Sequence, residues 1–216
     1  MTAELQGQLQ DGLGSLGLQL DQSQVDQLLE FLELLQRWNR IYNLTAVRDP
    51  QHMLTHHLLD SLAAVPPLCR HLAQREGAGA RLLDVGSGGG LPGVVFAICQ
   101  PEMEVVCVDA VAKKAAFVQQ AAASVQLRNL RGVHARVQAL QGPFDLVSSR
   151  AFASLADFTA WSRHLLAPDG AWLAMKGKRP DDEIAALPAN VGMFHVEPLR
   201  VPQLDAERCV VWMRPV

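Results

Sequence analysis

No apolar run in this chain approaches the roughly 20 residues that a membrane helix needs. The opening residues Met1-Thr2-Ala3-Glu4-Leu5 have neither a positive region nor an apolar core, so no secretory leader or membrane partner is expected and the chain reads as cytoplasmic. Cysteine is sparse and scattered: Cys69, Cys99, Cys107 and Cys209 show no CxxC or Cys/His spacing. That argues against a structural zinc site, any other metal site and a disulfide framework. Cys99 and Cys107 sit in apolar surroundings and read as small core residues. An excess of positive charge is also missing, the net charge being −3, which argues against a general nucleic-acid coat protein. Repeats and low-complexity segments are absent.

What is present is an ordinary globular mix, 49% hydrophobic and 19% charged over 216 residues, enough for one α/β core with a helical appendage. The charge is unevenly spread. Residues 105–180 hold ten basic side chains (Lys113, Lys114, Arg128, Arg131, Arg136, Arg150, Arg163, Lys176, Lys178 and Arg179) against four acidic ones, while residues 1–60 hold three against eight. Solvated helix faces would explain any one of these cations; a surface facing a polyanion explains their concentration.

The first eighty residues read as helices. From Asp21, the series Val25, Leu28, Leu32, Leu35, Trp38, Tyr42 advances in steps of three and four along one apolar face, and Asp21 with Gln24 forms a capping pair. Asp49-Pro50 opens a further helix carrying Met53, His57, Leu58, Leu62 and Val65, which Pro66-Pro67 is expected to stop. A flexible joint at Gly77-Ala78-Gly79 divides an N-terminal extension, 1–79, from a core domain, 80–216. Beyond the joint, strands expected at 82–85, 105–108, 132–135, 144–148 and 171–176 alternate with helices at 91–99, 112–124 and 155–166. Two last strands, 193–197 and 209–214, have no long helix between them and suggest an antiparallel hairpin. The fold expected is a mostly parallel seven-stranded sheet with helices on both faces.

Between the first strand and its helix lies Asp84-Val85-Gly86-Ser87-Gly88-Gly89-Gly90-Leu91-Pro92-Gly93. Glycine suits a turn that needs positive φ and a backbone that must approach a ligand. A dinucleotide fingerprint would place its third glycine at the sixth position of the motif; with Gly86 as the first, that position is Leu91, and Gly90 comes at the fifth. The D-x-G-x-G-x-G pattern is that of Rossmann-like methyltransferases (class I), whose cofactor, S-adenosylmethionine, has no pyrophosphate to seat. Asp84 is expected to receive the amino-acid end of the cofactor, directly or through water, and Asp109, closing the second strand, the ribose hydroxyls. Ligands of open α/β sheets bind beyond the carboxyl ends of the strands. Here those ends are Gly86, Asp109, Arg136 with Val137-Gln138, Ser149-Arg150 and Lys176-Gly177-Lys178, a cofactor loop beside several cations that suit an anionic substrate.

Attack by pyrimidine C5 needs a cysteine nucleophile in an exposed loop, and Cys99 and Cys107 lie inside a helix and a strand. The N/D-P-P-Y/F motif that goes with exocyclic amines is replaced by Ser148-Ser149-Arg150-Ala151-Phe152. The ordered series Trp38-Asn39-Arg40-Ile41-Tyr42-Asn43-Leu44-Thr45, His57-Leu58-Leu59-Asp60-Ser61-Leu62, the Asp84–Gly93 loop, Ser149-Arg150-Ala151 and Lys176-Gly177 closely resembles the RsmG (GidB) family of bacterial 16S rRNA guanine-N7 methyltransferases, from about Leu28 to the C-terminus. The resemblance implies methylation of one guanine N7 in the small-subunit decoding region. It implies S-adenosylmethionine contacts at Gly86, Leu91, Val137, Gln138 and Arg150, to which the loop reading adds Asp84, Gly88 and Asp109. Two departures stand out: Gln138, where the family usually has Glu, and His56, where an arginine is common.

Methylation at N7 removes no proton, so no catalytic acid or base is assigned. Arg150 is expected to link cofactor and substrate pockets, and Arg150, Lys176 and Lys178 to meet RNA. The partner that the resemblance implies is 16S rRNA, the small subunit or an assembly intermediate, and the protein is expected to be a monomer. For Asn39, Asn43, His57 and Asp60, structural hydrogen bonds and substrate contacts both remain open. Rival readings are a methyltransferase of a small molecule or protein, and an RNA-binding assembly protein with a vestigial cofactor site.

Overall fold

Helix α2 (Gln22–Tyr42) starts where the capping pair places it: the Asp21 carboxylate accepts from Gln24 N at 2.8 Å, and the Gln24 side chain accepts from Asp21 N. The computed structural model describes residues 3–75 and 79–216, so Gly77 and Ala78 of the expected joint lie outside the described residues. A preceding helix, α1 (Ala3–Leu16), and α2 pack their leucines into one apolar layer.

The segment after Asp49 departs from expectation. Asp49 caps a helix with Pro50 in its first turn, but α3 (Pro50–Met53) gives way to a π-helical segment, Leu54–Leu59, before the short α4 (Asp60–Leu62). Such π segments widen a helix and are frequent at functional sites; this one carries His56 and His57 and leads into Asp60. Pro66-Pro67 does not end this helix. They stand in the first turn of a new one, α5 (Val65–Leu72), where a missing N–H costs little.

The strands are β1 (Arg81–Val85), β2 (Glu104–Asp109), β3 (Leu130–His134), β4 (Phe144–Arg150), β5 (Leu166–Lys176), β6 (Val191–Leu199) and β7 (Arg208–Pro215). They form one seven-stranded sheet in the order β3-β2-β1-β4-β5-β7-β6. The first five are parallel, and β7 runs antiparallel to both β5 and β6. The intervening helices are α6 (Gly93–Cys99), α7 (Ala112–Ser124), α8 (Leu155–Ser162) and α9 (Asp181–Ala185). Helix α6 begins two residues later than expected, after the turn at Leu91-Pro92, and α8 ends in a 3-10 turn at 163–165.

Alternation along each strand sends side chains to two layers. Leu82, Val105, Cys107 and Leu146 join α6, α7 and the N-terminal helices; Leu83, Val106, Val147 and Trp172 join α8. The N-terminal helices therefore cap one face of the sheet and share its core. Among the described residues no helix is long and apolar enough to cross a membrane.

Candidate active site

The loop after β1 is held from below and from the side. Gly86 N and Ser87 N both donate to Val108 O at the end of β2, at 2.9 and 3.2 Å. The Asp109 carboxylate takes Gly88 N at 3.0 Å and Val111 N at 2.8 Å. Beneath the loop, Asp84 is 0% exposed. One of its oxygens accepts from Gly93 N at 3.0 Å and the other from the Ser148 hydroxyl at 2.9 Å. Burial outweighs those two bonds and raises its pKa to about 7. Asp84 thus stands under the loop, tying Gly93 N to the end of β4, and lines neither cavity described next; the expectation was that it receives the amino-acid end of the cofactor, directly or through water.

Two cavities meet at this edge of the sheet. The first, about 560 Å³, is bounded by Gly86 to Gly89, Leu91, Arg150 and Lys176, and from the helical cap by Thr45, His57 and Asp60. The second, about 380 Å³, is bounded by Asp109, Lys114, Arg136, Val137, Gln138 and Trp161. Gly86 and Ala151 line both. Gly86 has φ +66°, and a Cβ there would lie 2.2 Å from the Phe152 ring, so this position has no room for a side chain. Gly88, at φ +56°, faces open space: a Cβ would meet only Gly86 O, at 3.9 Å.

The expected site residues therefore divide. Gly88, Leu91 and Arg150 lie on the first cavity, and Asp109, Val137 and Gln138 on the second. Lys176 lines the first, but its ammonium is bound by both oxygens of Glu183, at 2.8 and 2.9 Å, and by Ala153 O at 3.1 Å. Lys178 is exposed and lines neither cavity.

Arg150 sits in a network that joins the sheet to the cap. Its Nη1 donates to Asp60 Oδ2 at 2.8 Å and to His56 O at 3.0 Å. The other Asp60 oxygen accepts from Arg208 Nε at 2.7 Å. His57 bonds Thr45 Oγ1 through Nε2 at 2.7 Å, and Asn39 holds the Thr45 backbone. Burial, then the Arg150 charge, lowers the His57 pKa to about 4. Asn39 accordingly serves structure, as does Asn43, which caps α2 in the left-handed region and accepts from Arg48. Arg208 was missed from sequence because only the ends of parallel strands were read. The expected hairpin held the signal: in an antiparallel last strand, the first residue is the one that reaches this edge.

Among the described residues no group of three or more His, Cys, Asp or Glu is placed to hold a metal ion. Burial pushes the Cys99 thiol up to about 12 and Cys107 well above its ordinary value, so neither offers a thiolate nucleophile.

The sequence profile of the family described as rRNA small subunit methyltransferase G matches residues 24–211. The chain belongs to this family. A relative from Acidovorax sp. (strain JS42), named Ribosomal RNA small subunit methyltransferase G, is 71% identical over 213 residues, which is 96% of this chain and 94% of the relative. One of the same name from Polaromonas naphthalenivorans (strain CJ2) is 61% identical over 214 residues, 98% and 96% of the two chains. In fold, the chain matches a SAM dependent methyltransferase from Aquifex aeolicus with a TM-score of 0.56, at 13% identity, over 86% of this chain and 98% of that one. Aeropyrum pernix fibrillarin, solved with natively bound S-adenosyl-L-methionine, gives 0.54 at 15% identity, over 72% and 76%. The architecture is that of class I methyltransferases.

Two buried titrating groups of this chain work against each other. Between about pH 4 and 6.5 the unfolded chain holds a proton on His57 that the folded protein refuses, so this residue stabilises the fold increasingly as pH rises through that window. Asp84 has the opposite sign. Between 3.8 and about 7 the folded protein keeps a proton that the unfolded chain has released, so its contribution is fully present at the low end and lost as pH rises through 7. His57→Gln should remove the first term. Relative to the unaltered protein, its stability should fall as pH rises from 4 to 6.5, by up to about 1.4 kcal/mol per pH unit. Urea unfolding at several pH values in that range would show this; parallel profiles for the two proteins would mean that His57 is not held neutral.

Proposed function

We propose that this chain transfers the methyl group of S-adenosylmethionine to N7 of one guanine in 16S rRNA, in the decoding region of the small subunit. The observation that carries the reading is the meeting of two cavities at Gly86, one bounded by the Asp109 carboxylate and the other by Arg150. The open side of Gly88 and the acceptors of Asp109 fit the cofactor. Gly86, Gly88, Leu91 and Arg150 would hold it on one side, and Asp109, Val137 and Gln138 on the other, with residues 80–216 as the cofactor domain and 1–79 as a helical cap. When bound, the cofactor supplies an electrophilic methyl group.

The protein then has to align a nucleophile. N7 of guanine carries a free lone pair and loses no proton, so Asp60 and His57, each held by its neighbours, need not act as bases. Proximity and orientation are the main contribution. N7 faces the deep, narrow groove of A-form RNA, so the target guanine has to be unpaired or displaced. Arg150 stands between the Gly86 loop and the helical cap, where it can hold an acceptor-rich group. The reading places the protein in the cytoplasm, acting as a monomer.

The test is transfer of labelled methyl from S-adenosylmethionine to 16S rRNA, intact small subunits and large subunits taken from cells lacking the endogenous enzyme. Label on one guanine N7 of the small-subunit rRNA is the expected result. Label on ribosomal proteins only, on the large subunits only, or on none of these acceptors would overturn the reading.

A further inference from the structure

The cations at this sheet edge are not equivalent. Lys176 is neutralised by Glu183, bound through both oxygens. Arg150 and Arg208, in contrast, share the single carboxylate of Asp60, one oxygen each, and the Asp60 side chain is only 4% exposed. Two guanidinium groups on one carboxylate leave one positive charge in excess. They also keep N–H groups to spare. Arg208 uses Nε on Asp60 and Nη1 on Glu207 O; its Nη2 has no hydrogen-bond partner among the described residues. Its side chain is 23% exposed and lines the first cavity. A charged group held in one orientation, partly buried, with donors still free, is what recognition of an oxyanion requires.

The sheet order says which oxyanion. Along the edge, β1 with its loop is followed by β4 with Arg150, β5 with Lys176 and β7 with Arg208. At about 4.8 Å per strand, Arg208 lies roughly 14 Å from the end of β1. Apart from Arg150, the residues assigned to the cofactor lie in the loop after β1, at the end of β2 and after β3, away from β7 along this row. We propose that Arg208 binds a phosphate of the RNA chain at the substrate end of the first cavity. Asp60 is the positioning residue that holds Arg208 toward the phosphate and Arg150 toward the loop. The inference rests on the proposed rRNA methylation and names how that substrate is held.

The experiment uses the full chain and the rRNA substrate that the unaltered enzyme methylates. If the unaltered enzyme methylates none, the functional reading itself fails, whatever Arg208 does. Given that activity, Arg208→Ala should bind 16S rRNA about tenfold more weakly at physiological salt. The slope of log affinity against log salt should shrink by about one contact, and the KM for RNA should rise while the dissociation constant for S-adenosylmethionine stays unchanged. Asp60 keeps Arg150 as a partner in this variant, so the fold is expected to hold. Arg208→Lys, which keeps the charge, should restore the salt slope, and a purely structural role would not move that slope at all. Unchanged RNA affinity and slope in Arg208→Ala would overturn the proposal. So would a loss confined to cofactor binding, which would make the cofactor's carboxylate the anion at this site.

Discussion

Asp60→Ala is expected to cost about 3 kcal/mol of folding stability and to lower methyl transfer by about a hundredfold or more. The carboxylate is the common partner of two guanidinium groups that reach it from strands β4 and β7, with side chains 19% and 23% exposed. Removing it leaves two like charges facing each other in a partly desolvated pocket. Breaking such a pair from one side costs about 3–5 kcal/mol; the remaining solvent contact of both arginines argues for the low end. The loss of turnover has a separate cause, because Arg150 and Arg208 would no longer share a fixed orientation. Urea unfolding at neutral pH gives the first quantity and single-turnover methyl transfer the second. Adding Arg208→Ala to Asp60→Ala should recover part of the stability, since it removes one of the two unpaired charges, and should recover none of the activity. Strict additivity of the two substitutions would show that they do not share this network.

Much of the fold was legible because local signals and tertiary packing agree. The Asp21–Gln24 pair marks the start of α2, and α7 runs over Ala112–Ser124 as its composition implies. The apolar runs of β1 and β2 are buried on both faces, and the two last strands pair antiparallel. Pro66-Pro67 was misread because the same residue pair serves the end of one helix and the beginning of the next; which it does is settled by how Val65 and Leu68 pack into the core. The π segment at Leu54–Leu59 continues an apolar helical pattern and so was not distinguished from an ordinary helix by its sequence.

The same distinction holds within the site. The loop from Gly86 to Gly90 could be read from spacing, and Arg150 from its place at a strand end. The pairing of Asp60 with Arg150 and Arg208 could not, because Arg150 is 90 residues away and Arg208 is 148 away. Lys176 illustrates the converse. Its position at the end of β5 pointed to a free cation, but the five-residue helix α9 brings Glu183 back over it. Charge read from sequence locates a cation; only the fold shows whether a carboxylate has already claimed it.

Gly88→Asn is expected to weaken S-adenosylmethionine binding by about a hundredfold, close to 2.7 kcal/mol, while leaving the fold intact. Any L residue at φ +56° carries strain, and asparagine is among those that tolerate this region best. Within the protein, a Cβ at this position meets nothing nearer than Gly86 O at 3.9 Å. Strain and collision with the protein are therefore both small, and stability should fall by no more than about 1–2 kcal/mol. What changes is the open side: the new side chain projects from a loop that lines the first cavity, where the bare backbone has to approach the cofactor. Gly86→Ala is the less informative variant, because a Cβ there would strike the Phe152 ring at 2.2 Å and disturb both cavities at once. Isothermal titration with S-adenosylmethionine, together with a thermal melt, separates occupancy from unfolding. A Gly88→Asn protein that melts normally and binds the cofactor like the unaltered chain would move the cofactor away from this loop, and with it the assignment of the first cavity.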